Sequence, residues 1–209
     1  FSVSSYKKVL EPIYLKVIGN SFVLAGISTL ICLIIGYPVA MIIANTDVKH
    51  RNLLLMLFLV PIWMNFLLRT YAWMSLLSPN GLINRLLLWL GLPKIEIMPG
   101  KTAVLLGMVY NFLPFMVLPI YTVLSKIDKH VIEAANDLGG NSVITFIRVI
   151  LPLSVPGIVS GITMVFLPAV NPFVISGLLG GGKTPLIGDL IEQQFLSSRD
   201  WHFGSSLSI

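Results

Sequence analysis

An all-α, polytopic membrane helical bundle is the fold class this sequence predicts, and three observations predict it. Of its 209 residues, 56% are hydrophobic and only 11% charged, whereas a soluble domain carries about a quarter charged. The mean hydropathy is +0.88. Residues 17–46, 102–125 and 149–182 contain no Asp, Glu, Lys or Arg, and 52–84 contain Arg69 alone. A helix needs about 20 apolar residues to cross about 30 Å of hydrocarbon, and each stretch supplies them. The composition argues against a soluble domain. The chain starts at Phe1 without a basic region leading into an apolar stretch, so it reads as part of a longer protein.

In chain order, the spans are expected near 20–44, 53–77, 102–124 and 144–170, and the final GSSLSI reads as the start of a further span at about 205–209. The spans carry Pro38, then Pro61, then Pro114 and Pro119, then Pro152, Pro156 and Pro168. Each proline removes an internal hydrogen bond and bends the helix, which a bundle accepts where neighbours or water re-satisfy the backbone. Bent helices around a cavity point towards a conduit. GLINRLLLWLGLP (81–93) has helical spacing, with Asn84 and Arg85 on a separate face; it reads as a short interfacial helix with Trp89 at headgroup depth or, equally, as a packing element of the outer loop. Arg69 is expected to snorkel to the outer interface or to pack locally, the alternative being an acid on another protein.

Several functions are disfavoured. The fourteen Lys and Arg are scattered, with no run longer than Lys7-Lys8, so the clustering that nucleic-acid binding needs is absent. The single cysteine, Cys32, can form neither an internal disulfide nor a metal site by itself. GLLGGGKT (177–184) fits the phosphate-loop pattern at every fixed position. That loop must join a buried strand to a helix whose amides face the phosphate, whereas here it follows a proline-broken span. Its glycines are expected to let the chain fold back tightly.

Charge alone leaves the orientation open. The loops 46–51 and 125–148 share one side and hold five Lys and Arg, against eight in the longer segments opposite. The five lie close to helix ends, where the positive-inside rule applies best.

The most informative stretch is DKHVIEAANDLGGNSVITFIRVILPLSVPG (128–157). Asp128 is placed as an N-cap, and Val131, Ala134, Ala135 and Leu138 form a narrow apolar face. Gly139 and Gly140 end the helix. Two adjacent alanines admit a close-packed partner, while Glu133 and Asp137, at i and i+4, cannot favour each other. A helix covering the bundle end fits equally well.

EAA at 133–135, Gly139, Val149 and LP at 151–152 resemble the signature E-A-A-x-x-x-G-x9-I-x-L-P, with valine in place of the isoleucine. That signature marks the membrane subunits of binding-protein-dependent ABC importers. GYPVAMIIA (36–44), VPIWMNFLLRTYAW (60–73), NFLPFMVLPIY (111–121) and LIGDLIEQQFLSSRDWHFGSS (186–206) extend the resemblance to the spermidine/putrescine permeases of that family. It implies a type I importer transmembrane domain lacking its first and last helices. The segment 126–141 would be a cytoplasmic coupling helix, with Glu133, Ala134, Ala135, Asp137 and Gly139 at the ATPase contact. The implied partners are a homologous second permease subunit, two ATPase subunits and an extracytoplasmic polyamine-binding protein. ATP and Mg²⁺ would sit on the ATPase, with no cofactor on this chain.

A polycation is held by carboxylates and aromatic faces. Trp63, Tyr71, Trp73, Tyr110 and Phe173, with Asn65 and Asn111, are the candidate pathway residues. No span contains an acid, and Asp189, Glu192, Asp200 and Trp201 are the candidates for the outer mouth or for binding-protein docking. The competing readings are a permease for another small solute, a self-sufficient secondary transporter, and an ATP-binding enzyme.

Overall fold

The computed structural model describes residues 12–182 and 185–197. Every regular element among them is helical. Helix α1, Pro12–Asn45, has 34 residues and begins well before the expected residue 20. Helix α5, Lys101–Leu124, takes the place of the third expected span. Helix α7 runs from Ser142 to Val170 in the fourth. The expected beginning of a further span, at 205–209, lies outside the described residues.

The expected single span over 53–77 is two helices, α2 (Val48–Trp63) and α3 (Phe66–Leu77). Pro61 offers no N–H and crowds the preceding turn of α2. Four residues after Pro61, Asn65 turns its side chain forward and accepts the Leu67 N–H at 2.8 Å, which starts α3 afresh. Sixteen residues reach about 24 Å and twelve about 18 Å, so neither piece alone crosses the hydrocarbon. Among the described residues three helices are long and apolar enough to span, or four if α2 and the bent continuation Phe66–Trp89 count as one.

The short helices are α4 (Leu82–Trp89), α6 (Lys129–Asp137), α8 (Phe173–Gly180) and α9 (Ile187–Leu196). The chain divides into two compact units, one of residues 1–28, 64–111 and 167–209, the other of 29–63 and 112–166.

In the first unit, α8 packs against α3 and α9. Gly107 lets the helices approach, since a Cβ there would stand 2.5 Å from Leu179 Cδ1 and 3.0 Å from Ile175 Cγ2. The packing reading of α4 holds at Asn84, which is 2% exposed. Its amide donates to the carbonyls of Ser78 and Ile95 at 3.2 and 3.1 Å and accepts the Ile95 N–H at 2.9 Å. One side chain thereby closes the loop that follows α4. Arg69 is packed locally, one of its expected placements: it is 8% exposed, with its guanidinium 5.9 Å from the Phe66 ring centre. Its helix packs against α8, and Nε and Nη1 find no hydrogen-bond partner. Helix α9 is fixed by Asp189, whose two oxygens accept from Ser176 Oγ at 2.7 Å and Leu186 N at 2.8 Å. Ser21 Oγ accepts the Ile187 N–H at 2.8 Å beside it.

In the second unit α1, α5 and α7 close around Met116. A Cβ on Gly36 would lie 3.0 Å from Met116 Cγ, and one on Gly161 would lie 2.8 Å from its sulfur. Small residues at such crossings let membrane helices gain dispersion contacts where no hydrophobic drive brings them together. Cys32, Ala40, Ile43, Val117 and Ile120 fill the remaining core, and Cys32 forms no disulfide.

Two outcomes are expected. Asn84→Leu strands the Ile95 N–H and two carbonyls, costing about 1–3 kcal/mol. Thermal unfolding in detergent should fall accordingly, with new proteolytic cleavage between residues 91 and 100. Burial raises the Asp189 pKa above its ordinary 3.8, partly opposed by the Leu186 and Ser176 hydrogen bonds. The folded protein therefore holds this proton more tightly than the unfolded chain, and the contribution to stability declines as pH rises above 3.8. The difference in melting temperature between wild type and Asp189→Asn should change in that window and level off above it.

Candidate functional site

Asp128 accepts the His130 N–H at 3.0 Å and starts α6. Its other end is a paired closure. The Gly139 N–H reaches Asn136 O at 2.9 Å and the Gly140 N–H reaches Ala135 O at 3.1 Å, the hydrogen-bond pattern of a Schellman motif. Gly139 holds φ +85° with open space around any Cβ, so its backbone conformation demands glycine. At Gly140 space excludes any side chain, because a Cβ would meet Ala135 O at 2.6 Å and Thr145 Oγ1 at 2.9 Å. Thr145 Oγ1 donates to Asn136 Oδ1 at 2.9 Å, tying α6 to the first turn of α7, which Asn141 caps through the Ile144 N–H.

The apolar face expected on α6 is only partly one face. Val131 and Leu138 are 44% and 90% exposed, and Ala134 lies open with them. Ala135 is turned away to line a groove of about 290 Å³ with Leu138, Gly140, Ile144, Arg148 and Val149. Glu133 is not left without a partner: its Oε2 stands 3.2 Å from His130 Nδ1, in a pair well exposed on both sides. Asp137 is exposed and forms no ion pair among the described residues.

After one α-helical turn, α7 widens into π-helical winding over Phe146–Ile150, closed by the Leu151 N–H on Phe146 O. Pro152 supplies the reason, since its ring would crowd the carbonyl four residues back, at Arg148. Tyr37 of α1 lies over this stretch, edge-on to Phe146 at 5.7 Å and 2.9 Å from Ser154 Oγ through its hydroxyl. Sequence reasoning missed Tyr37 and Ser154. The available signal was a tyrosine beside a helix proline in an apolar span.

Of the candidate pathway residues, Trp73 and Tyr110 come together, with ring centres 5.1 Å apart at 64°. Trp63, Tyr71 and Phe173 are 79%, 48% and 43% exposed. Asn65 has a local duty as the cap of α3. Asn111 is 1% exposed; its amide donates to Gly107 O at 2.8 Å, while Oδ1 is left without a partner. At the expected outer mouth Glu192 is exposed, whereas both oxygens of Asp189 are spent on Ser176 and Leu186. Asp200 and Trp201 lie outside the described residues, as do Lys183 and Thr184 of GLLGGGKT. Before them the chain turns back at Gly181 and Gly182, at φ +56° and +74°, with Gly181 seated against Pro99.

The family model described as "Binding-protein-dependent transport system inner membrane component" matches residues 21–200. The spermidine/putrescine transport system permease protein PotB of Escherichia coli K12 is 47% identical over all of this chain and 77% of its own length. PotB of Haemophilus influenzae is 43% identical over all of this chain and 73% of its own. A chain of a bacterial alginate ABC transporter, crystallised with an alginate pentasaccharide-bound periplasmic protein, superposes with a TM-score of 0.84 at 17% identity. That match covers all of this chain and 76% of the other. The chain belongs to the binding-protein-dependent transport system inner membrane components and is an inner-membrane permease subunit of an ABC importer.

Proposed function

We propose that this permease forms half of the translocation pathway for a polyamine of the spermidine or putrescine class, and that α6 couples it to ATP hydrolysis on another chain. The substrate class rests on the 47% identity, over the whole chain, to permeases bearing that name. The coupling role rests on one observation: a short capped helix that leaves Val131, Ala134 and Leu138 uncovered while being tied to α7 through Thr145. An exposed apolar face with charges beside it suits docking on a partner protein.

The complex would contain a homologous second permease subunit, two ATPase subunits and an extracytoplasmic polyamine-binding protein. ATP and Mg²⁺ would be held by the ATPase, and this chain carries no catalytic residue in the scheme. Closure of the ATPases on ATP would pull α6 through Glu133, Ala134, Ala135, Asp137 and Gly139. Both permease bundles would then tilt from inward- to outward-open. Trp63, Asn65, Tyr71, Trp73, Tyr110, Asn111 and Phe173 remain the candidate pathway residues, with Asp189, Glu192, Asp200 and Trp201 at the outer side. A second reading, the same kind of permease for another small solute, is favoured by the absence of any acid in the spans and by the buried Arg69 cation.

Uptake of labelled spermidine and putrescine into proteoliposomes holding the full complex tests both readings. Glu133→Lys and Gly139→Asp should leave membrane insertion intact and lower uptake at least about tenfold, the scale of losing one well-placed contact. Normal assembly and uptake in either variant would remove the coupling assignment. ATP hydrolysis by the purified permease alone would sink the division of labour, and uptake of a different solute with no polyamine transport would favour the second reading.

A further inference from the structure

A π-helical turn holds one more residue than the α-helical turn it replaces. Converting Phe146–Ile150 to α-helix would shift the register of everything before it by one residue, a rotation of about 100° about the helix axis. What lies before it is the first turn of α7 and, through the Asn136–Thr145 hydrogen bond, α6. Pro152 disfavours the tight winding at this place, so the wide turn has a built-in cause.

Tyr37 grips both ends of that turn. Its ring edge rests on Phe146, the first residue, at 5.7 Å with planes at 84°. Its hydroxyl reaches Ser154, whose own proton is donated to Leu151 O at 2.8 Å. Tyr37 is therefore the donor to Ser154, and Leu151 is the residue whose N–H closes the π turn. The base of this grip is firm. The neighbouring Gly36 lies so close to α5 that a Cβ would stand 3.0 Å from Met116 Cγ and 3.4 Å from Val117 Cγ2. Tyr37 itself is buried, and so are Ser154 and Thr145.

We propose that the π turn Phe146–Ile150 is the hinge through which movement of the coupling helix enters the membrane span, and that Tyr37 is the positioning residue that sets its register. Pulling on α6 loads the Asn136–Thr145 link, the extra residue of the turn is taken up, and Phe146 slides off the Tyr37 ring. Tyr37 and Ser154 hold the turn wide until that load arrives, so that α7 moves with the ATPase and not without it. The inference rests on the coupling role proposed for α6.

The test uses the full complex in proteoliposomes, with uptake and ATP hydrolysis measured together. Tyr37→Phe keeps the ring contact and removes the donor; Ser154→Ala removes the acceptor. Each should leave assembly unchanged, raise ATP hydrolysis in the absence of solute and lower solute uptake per ATP by about fivefold, the factor that one neutral hydrogen bond corresponds to. The double variant should be no worse than Ser154→Ala alone, because that variant already deletes the Tyr37 bond together with the one from Ser154 to Leu151 O. Hydrogen exchange at the amides of 146–151 should accelerate in Tyr37→Phe. Wild-type uptake per ATP in Tyr37→Phe, or additive losses in the double variant, would overturn the hinge. Glu133→Lys run in parallel separates the two ideas. If it abolishes uptake while Tyr37→Phe behaves as wild type, only the hinge is lost; if it transports normally, the coupling reading fails and the hinge with it.

Discussion

A proline inside a membrane helix leaves a carbonyl without its donor, and no water waits in the hydrocarbon to replace it. How this chain answers that shortage determines where its helices bend and where they widen. At Pro61 the helix is given up within two residues and Asn65 caps a new one. At Pro152 the helix continues but takes the wider π winding over the preceding turn. Pro38, Pro114 and Pro119 are absorbed inside continuous helices. In the second unit Gly36, Gly157 and Gly161 bring neighbouring backbones close, Gly157 so near that a Cβ would stand 3.0 Å from Pro119 O.

The signature around residue 133 answers to backbone constraints of the same kind. Gly139 is required because its backbone is left-handed, and Pro152 because it shapes the turn through which α7 enters the span. The alanines divide their tasks: Ala134 stays open, and Ala135 lets Gly140 close on its carbonyl. A motif that reads as a string of identities is thus a capped helix, a tight closure and a widened turn in sequence. Its glutamate stands apart, since its pairing with His130 is too exposed to hold anything in place.

What the residues announced in advance follows a physical division. The helices α5 and α7 and the limits of α6 were legible because charge-free runs, an N-capping aspartate and a glycine pair act locally. The break at Met64 and Asn65 was not, since Pro61 looks like the other prolines, and what distinguishes it is the asparagine that follows. Arg69, Asn84 and Tyr37 could not be placed from sequence, because burial depends on what packs over a residue. Asn84 meets a backbone eleven positions away, and Tyr37 meets Ser154 across 117 positions. Of the candidate pathway residues, only Trp73 and Tyr110 form a cluster, for pathway lining is a property of a surface rather than of any one helix.

The length of α1 has a consequence of its own. Thirty-four residues make a rod of about 51 Å, whereas a helix tilted by as much as about 40° uses only about 39 Å to cross the hydrocarbon. About eight residues are therefore surplus to the crossing. Lys16 lies just before the charge-free run and marks the N-terminal end as the one that protrudes. Ile13 and Leu15 stand on that projecting stub, 67% and 47% exposed. By that length a stub of two turns falls at headgroup depth, where apolar side chains such as these gain from a protein surface laid over them.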